Sequence, residues 1–320
     1  MSTHSLAGAW TAIVTPFTPD GSAIDVERLR QQVRFQVDGG VRGIVPCGTT
    51  GEAPTLSDAE QDVVIATAVE SACGSGCLVV AGAGSNCTSH ALERHRRAKE
   101  LGAHGGLQVS PYYNKPSQEG LYRHFMSVAD GCDLPIILYN IPGRCGVAIT
   151  PETVERLARH PNIVAIKEAT GSMDSASEIR QRCGITILSG DDSLTLSFAA
   201  VGASGVVSVV SNLMPRAVAD LCERCARNDF AAAREGHAAL FPLSRGLLSL
   251  DTNPVPLKAA MALLGRDCGA LRLPMHPINP AHMPKIQALL AEAGLGAAGM
   301  TPGQGRRTGC STVEAKGALA

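Results

Sequence analysis

Short runs of β-branched and other apolar residues recur along the chain at intervals of roughly 20 to 35 residues, each closed by turn residues and followed by a stretch of helical period. The runs are AIVTPF from Ala12, GIVPCG from Gly43, CLVVAGAG from Cys77, GGLQVSP from Gly105, PIILYNIP from Pro135, IVAIKEA from Ile163, TILSGDD from Thr186 and GVVSVVS from Gly205. The helical stretches carry their own end signals. Ser57 with Glu60 makes a capping box, Thr150 precedes a proline at the first helical position, and Gly39, Gly102 and Gly202 stand where helices should stop. Near-continuous apolar strands are those covered on both faces, as in a parallel sheet. Eight of them with crossover helices close into an α/β fold, the (β/α)8 TIM barrel; a doubly wound open sheet is the alternative. After the eighth run the strand signal stops, and helical stretches follow at about 230–250, 253–264 and 280–295. The expected organisation is a catalytic barrel over 1–229, a C-terminal helical appendage over 230–295, and a tail over 296–320 whose Gly, Ala, Thr and charge without apolar period predict disorder.

Composition narrows the function classes. With 28 basic against 29 acidic residues and a net charge of −1, there is no chain-wide basic footprint for nucleic acid. No apolar run approaches the roughly 20 residues of a membrane-spanning helix. The amino terminus MSTHSLAGAW lacks the basic and apolar regions of a secretory signal, so a cytoplasmic location is expected. The 11 cysteines are odd in number and scattered, and are read as mostly free, buried thiols. Cys222 and Cys225 form a CxxC, but in a helical pattern with no second pair and no nearby histidine, which favours packing over zinc. His90 and His95 are five apart, off the spacing that puts two ligands on one helix face, and no phosphate-binding glycine loop is present. The expectation is therefore no metal and no cofactor, with small molecules as partners.

In such barrels the chemistry sits at the carboxyl ends of the strands. The fourth run ends in Tyr112, Tyr113 and Asn114, the fifth in Tyr139 and Asn140 with Arg144 beyond, and the sixth contains Lys167 and Glu168. Lys167 interrupts an apolar run where alternation puts it on the same side as Ile163 and Ala165, the expected barrel interior. One reading pairs it with Glu168 or Asp191 as a structural ion pair. The other is a Schiff-base lysine, since burial that lowers an amine's pKa from ~10.4 to ~7.5 leaves about a quarter of it neutral at pH 7. Lysine is scarce in the chain, which makes that placement less incidental. Tyr139 falls on the preceding strand, as a proton shuttle or as a core tyrosine. The GTTGE turn at Gly48–Glu52 could hold a carboxylate or be only a turn, and Arg144 could fork a carboxylate or remain solvated.

GTTGE at Gly48, SPYYNKPSQEGLY at Ser110, LYNIPGR at Leu138, IKEATG at Ile166 and LSGDD at Leu188, five motifs in order, resemble the dihydrodipicolinate synthase family of pyruvate-dependent class I aldolases, over about residues 8–295. The resemblance implies that Lys167 forms a Schiff base with pyruvate, that Tyr139 transfers protons, and that Thr49 links Tyr139 to Tyr113. It further implies that Tyr113 reaches across a tight dimer interface within a homotetramer built as a dimer of dimers. Thr50 would help hold the pyruvate carboxylate, main-chain groups of Gly190 and Val207 would line the site, and Arg144 would grip the carboxylate of L-aspartate 4-semialdehyde. The implied reaction is a condensation giving 4-hydroxy-tetrahydrodipicolinate in lysine biosynthesis. Relatives with the same lysine and tyrosine release pyruvate from sialic acid or other 2-keto acids, and a barrel that only binds a 2-keto acid is a third, non-enzymatic reading. Inhibited members carry an acidic residue and histidines in a lysine-effector cleft; the corresponding positions are here His90, Asp58 and Gln61, although Asn86 and Tyr112 match. The acid that would pair with the effector's ammonium is therefore missing, and feedback by lysine is expected to be weak or absent.

Overall fold

The computed structural model describes residues 5–296. Eight parallel strands close in sequence order into a barrel: β1 (Gly8–Ala12), β2 (Gly43–Val45), β3 (Leu78–Gly82), β4 (Gly105–Val109), β5 (Ile136–Asn140), β6 (Ile163–Glu168), β7 (Thr186–Ser189) and β8 (Gly205–Ser208). Closure comes from pairing β1 with β8, Trp10 opposite Val207. The predicted caps form. Ser57 and Glu60 exchange the two hydrogen bonds of a capping box on helix Asp58–Ala72, and Thr150 accepts from the Thr153 amide to start helix Pro151–Leu157.

Seven of the eight runs become strands close to where the pattern puts them; the first does not. Its strand is Gly8–Ala12, and the expected AIVTPF segment lies almost wholly beyond it. Small residues and one aromatic hide that strand from a β-propensity reading. The segment after it leaves the ladder, with the Val14 amide donating to Asn212 Oδ1 at 3.3 Å.

The barrel interior is a packed layer of Trp10, Ala12, Val45, Leu78, Val80, Leu107, Ile137, Tyr139, Ala165, Leu188 and Val207. Trp10, fully buried, satisfies its indole N–H on the Leu6 carbonyl at 2.8 Å. Its ring explains Gly43 on the adjacent strand, where a Cβ would lie 2.2 Å from the indole. A second apolar cluster joins Val206 of β8 to Leu221, Leu243, Leu257 and Ile286, so helices Phe230–Leu248, Val255–Leu263 and Met283–Glu292 dock on the outside of the barrel. The tail beyond 296, for which disorder was expected, lies outside the described residues. Among the described residues no helix is long and apolar enough to cross a membrane.

Candidate active site

Lys167 enters the barrel, but not by the simple alternation read from the sequence. The β5–β6 register slips at Ile136/Ile137, so Ile163 faces the helices with Ile166 while Ala165 faces inward. Lys167 follows Ala165 by two and therefore points inward, opposite Tyr139 in the ladder. Its side chain is 7% exposed, and Nζ lies 4.1 Å from the centre of the Tyr139 ring. The alternative reading, an ion pair with Glu168 or Asp191, does not form among the described residues. Glu168 instead accepts from the Thr170 amide at 2.8 Å and from Asn140 Nδ2 at 3.0 Å, and Asp191 caps a turn through the Ser193 amide at 2.8 Å.

Burial without a direct counter-ion pushes the Lys167 amine down to about 8; the Asp192 charge opposes this and Arg144 reinforces it. About a tenth of such an amine is neutral at pH 7, against roughly one in a few thousand for an ordinary lysine. Tyr139 moves the other way, up to about 12, chiefly through burial, with Arg144 and a hydrogen bond from Thr49 opposing. At neutral pH the phenol therefore keeps its proton and can donate it.

A cavity of about 400 Å³ opens at this end of the barrel, lined by Thr49, Leu107, Tyr112, Tyr139, Arg144 and Cys145 among others. Lys167 is outside that lining; its amine meets the cavity through the Tyr139 ring. Thr50 is buried behind the turn, its Oγ1 accepting from Asn253 Nδ2 at 2.9 Å. Arg144, on the short helix Pro142–Cys145, reaches the Asn253 carbonyl at 3.4 Å. Val207 is buried in the barrel interior. The Gly190 N–H donates to the Glu168 carbonyl at 2.8 Å, which leaves its own carbonyl free of that bond. Tyr113 is not drawn in: it is 91% exposed, at a positive φ of 74° that non-glycine residues seldom adopt.

Several residues that shape the site had no role assigned from the sequence. Asp192 is buried against the Ser208 hydroxyl and the amides of Val209 and Val210, at 2.8 and 3.1 Å. Burial is the main cause that raises its pKa. The second aspartate of LSGDD was the available signal. Asn140 receives the Ile149 amide at 3.0 Å, which ties down the loop that carries Arg144. Glu52 and Lys258 form an ion pair of 2.7 Å, almost wholly buried, that no local pattern announces.

Elsewhere, Asp58, Gln61 and His90 do share a cavity, about 380 Å³, where Arg94 sits 3.1 Å from Asp58. A larger cavity of about 600 Å³ lies at the opposite end of the barrel, beside Gly8, Arg42 and Cys77; chemistry rather than size distinguishes the site. The described cysteines are all free, but Cys73 is exposed and Cys87, Cys183, Cys225 and Cys268 are partly so, fewer buried than expected. Cys222 packs in helix Pro215–Ala226. Among the described residues no His, Cys, Asp and Glu side chains gather as a metal site.

Residues 5–293 match the Dihydrodipicolinate synthetase family. The chain is 50% identical over 287 residues to the 4-hydroxy-tetrahydrodipicolinate synthase of Citrifermentans bemidjiense, covering 89% of this chain and 98% of that one. It is likewise 50% identical over 290 residues to the enzyme of that name from Pelobacter propionicus, covering 90% and 99%. The crystal structure of dihydrodipicolinate synthase from Aquifex aeolicus superposes with a TM-score of 0.88 at 45% identity, over 91% of this chain and 99% of that one. A barrel with an inward lysine under a tyrosine, matched over nearly its whole length by proteins of one kind, leads to one conclusion: the chain belongs to the dihydrodipicolinate synthetase family.

Proposed function

We propose that Lys167 captures pyruvate as a Schiff base and that the chain is a lyase condensing it with L-aspartate 4-semialdehyde to give 4-hydroxy-tetrahydrodipicolinate, in lysine and diaminopimelate biosynthesis. The observation that carries this reading is the amine of Lys167, buried inside a closed barrel 4.1 Å from the Tyr139 ring centre, with a pKa of about 8. Its neutral fraction attacks the pyruvate ketone; loss of water gives the iminium, and loss of a methyl proton gives the enamine. The enamine adds to the aldehyde, and the second substrate's own amine then displaces Lys167 and closes the ring.

Tyr139 supplies and recovers the protons of these steps, with Thr49 as its hydrogen-bond partner. Thr50 holds the pyruvate carboxylate, and Arg144 at the cavity rim forks the carboxylate of the second substrate. The Gly190 carbonyl and the Val207 backbone complete the wall. Tyr113 acts from a second copy of the chain, extending the Thr49–Tyr139 relay within a homotetramer of two tight dimers. Its near-total exposure beside the half-exposed Tyr112 supports that reading. The barrel unit ends at about residue 229, where Asp229 caps helix Phe230–Leu248 and starts the helical region 230–295. The expected setting is the cytoplasm.

Purified protein given pyruvate and L-aspartate 4-semialdehyde should consume both together. Release of pyruvate from N-acetylneuraminate or another 2-keto acid, with no consumption of the aldehyde, would overturn the assignment in favour of a lyase of the opposite direction.

A further inference from the structure

Among the described residues two lysines are buried, and the proposed reaction uses one. Lys258 is 0% exposed, on helix Val255–Leu263 outside the barrel, and its ammonium meets Glu52 Oε1 at 2.7 Å, the Thr15 carbonyl at 2.9 Å and the Phe17 ring face at 4.3 Å. A buried ion pair seldom stabilises a fold more than apolar residues of the same volume would; what it can do is fix one arrangement of two segments. The segments here are far apart in sequence. Glu52 ends the GTTGE turn in a left-handed conformation, φ 54°, two residues after Thr50, and its other oxygen accepts from the Arg272 amide at 3.2 Å.

Two further bonds run to the same turn. Thr15 Oγ1 donates to the Gly51 carbonyl at 2.7 Å, and Asn253, just before the helix, donates from Nδ2 to Thr50 Oγ1 at 2.9 Å. With its oxygen occupied as an acceptor, the Thr50 hydroxyl has its own proton left to give to a carboxylate. We infer that the helix Val255–Leu263 clamps the Thr49–Thr50 turn, with Lys258, Glu52 and Asn253 as positioning residues for pyruvate. The inference rests on the proposed role of Thr50 and Lys167.

Two variants test it. Glu52→Gln with Lys258→Met removes both charges at similar volume, and Asn253→Asp keeps the ion pair but turns the donor facing Thr50 into an acceptor. Each should raise the pyruvate KM about tenfold, the loss of roughly one hydrogen bond. Asn253→Asp reads the clamp whether or not the double variant folds. Leu290→Ala, in helix Met283–Glu292, lowers Tm as a general packing defect and should leave that KM unchanged. A wild-type pyruvate KM in Asn253→Asp, or an equal rise in Leu290→Ala, overturns the clamp. Borohydride with saturating pyruvate should still modify Lys167 in the variants; failure to modify it in the unsubstituted protein would instead overturn the reading beneath.

Discussion

Replacing Lys167 by methionine should abolish activity and yet stabilise the fold. The amine's pKa falls from the ordinary 10.5 to about 8, mainly because its surroundings desolvate it. That shift corresponds to about 3 kcal/mol of disfavour for the buried charged form. At pH 7 the amine is mostly protonated both folded and unfolded, so the native state carries nearly all of that penalty. As pH rises through 8 the folded chain sheds the proton first. The unfolded state then binds more protons, so stability increases with pH up to about 10.5, where both states are neutral. Lys167→Met removes this dependence and keeps a similar volume. Urea denaturation of both proteins at one protein concentration, from pH 7 to pH 10, should show the variant more stable by up to about 3 kcal/mol at pH 7, with the gap closing across pH 8 to 10.5. A variant no more stable at pH 7, or a difference that does not change with pH, would refute the claim that this lysine is held against its own solvation.

The remaining expectations follow from the same geometry. Tyr139→Phe should lower kcat by about 10²- to 10⁴-fold with little change in Tm, because it deletes the proton donor and leaves the ring in place; steady-state rates and thermal melts check both. Arg144→Ala should raise the KM for aspartate semialdehyde about 10- to 100-fold while pyruvate is still captured, as expected for a lost charge-assisted hydrogen bond. Because Arg144 also depresses the Lys167 pKa, the acid limb of its pH–rate profile should move to higher pH. Lysine up to low millimolar concentration should leave the rate nearly unchanged, since Asp58 in the candidate effector cleft is already paired with Arg94 at 3.1 Å; a steep inhibition curve would count against that.

Much of the fold was legible because burial on both faces writes itself locally: seven strands and the caps at Ser57 and Thr150 stand near their expected places. The residues at strand ends were legible for the same reason, since a lysine inside an apolar run is conspicuous. What was hidden depends on long-range geometry. The slip at Ile136/Ile137 changes which residues of β6 share a face, so Lys167 points inward although Ile163 points outward. Trp10 sits in a strand of small residues whose identity comes from closing the barrel against β8 rather than from its own propensity. The Glu52–Lys258 pair joins positions 206 residues apart and leaves no mark in a sequence window, whereas Asp192 is visible in LSGDD but its role depends on amides of a neighbouring turn.

Borohydride reduction of the protein with pyruvate, followed by peptide mass mapping, tests the central claim most directly. A covalent pyruvate-derived adduct on the peptide carrying Lys167, dependent on pyruvate and lost in Lys167→Met, is the predicted result. An unmodified Lys167 in folded protein, or an adduct carried by Lys115 or Lys258 instead, would contradict it.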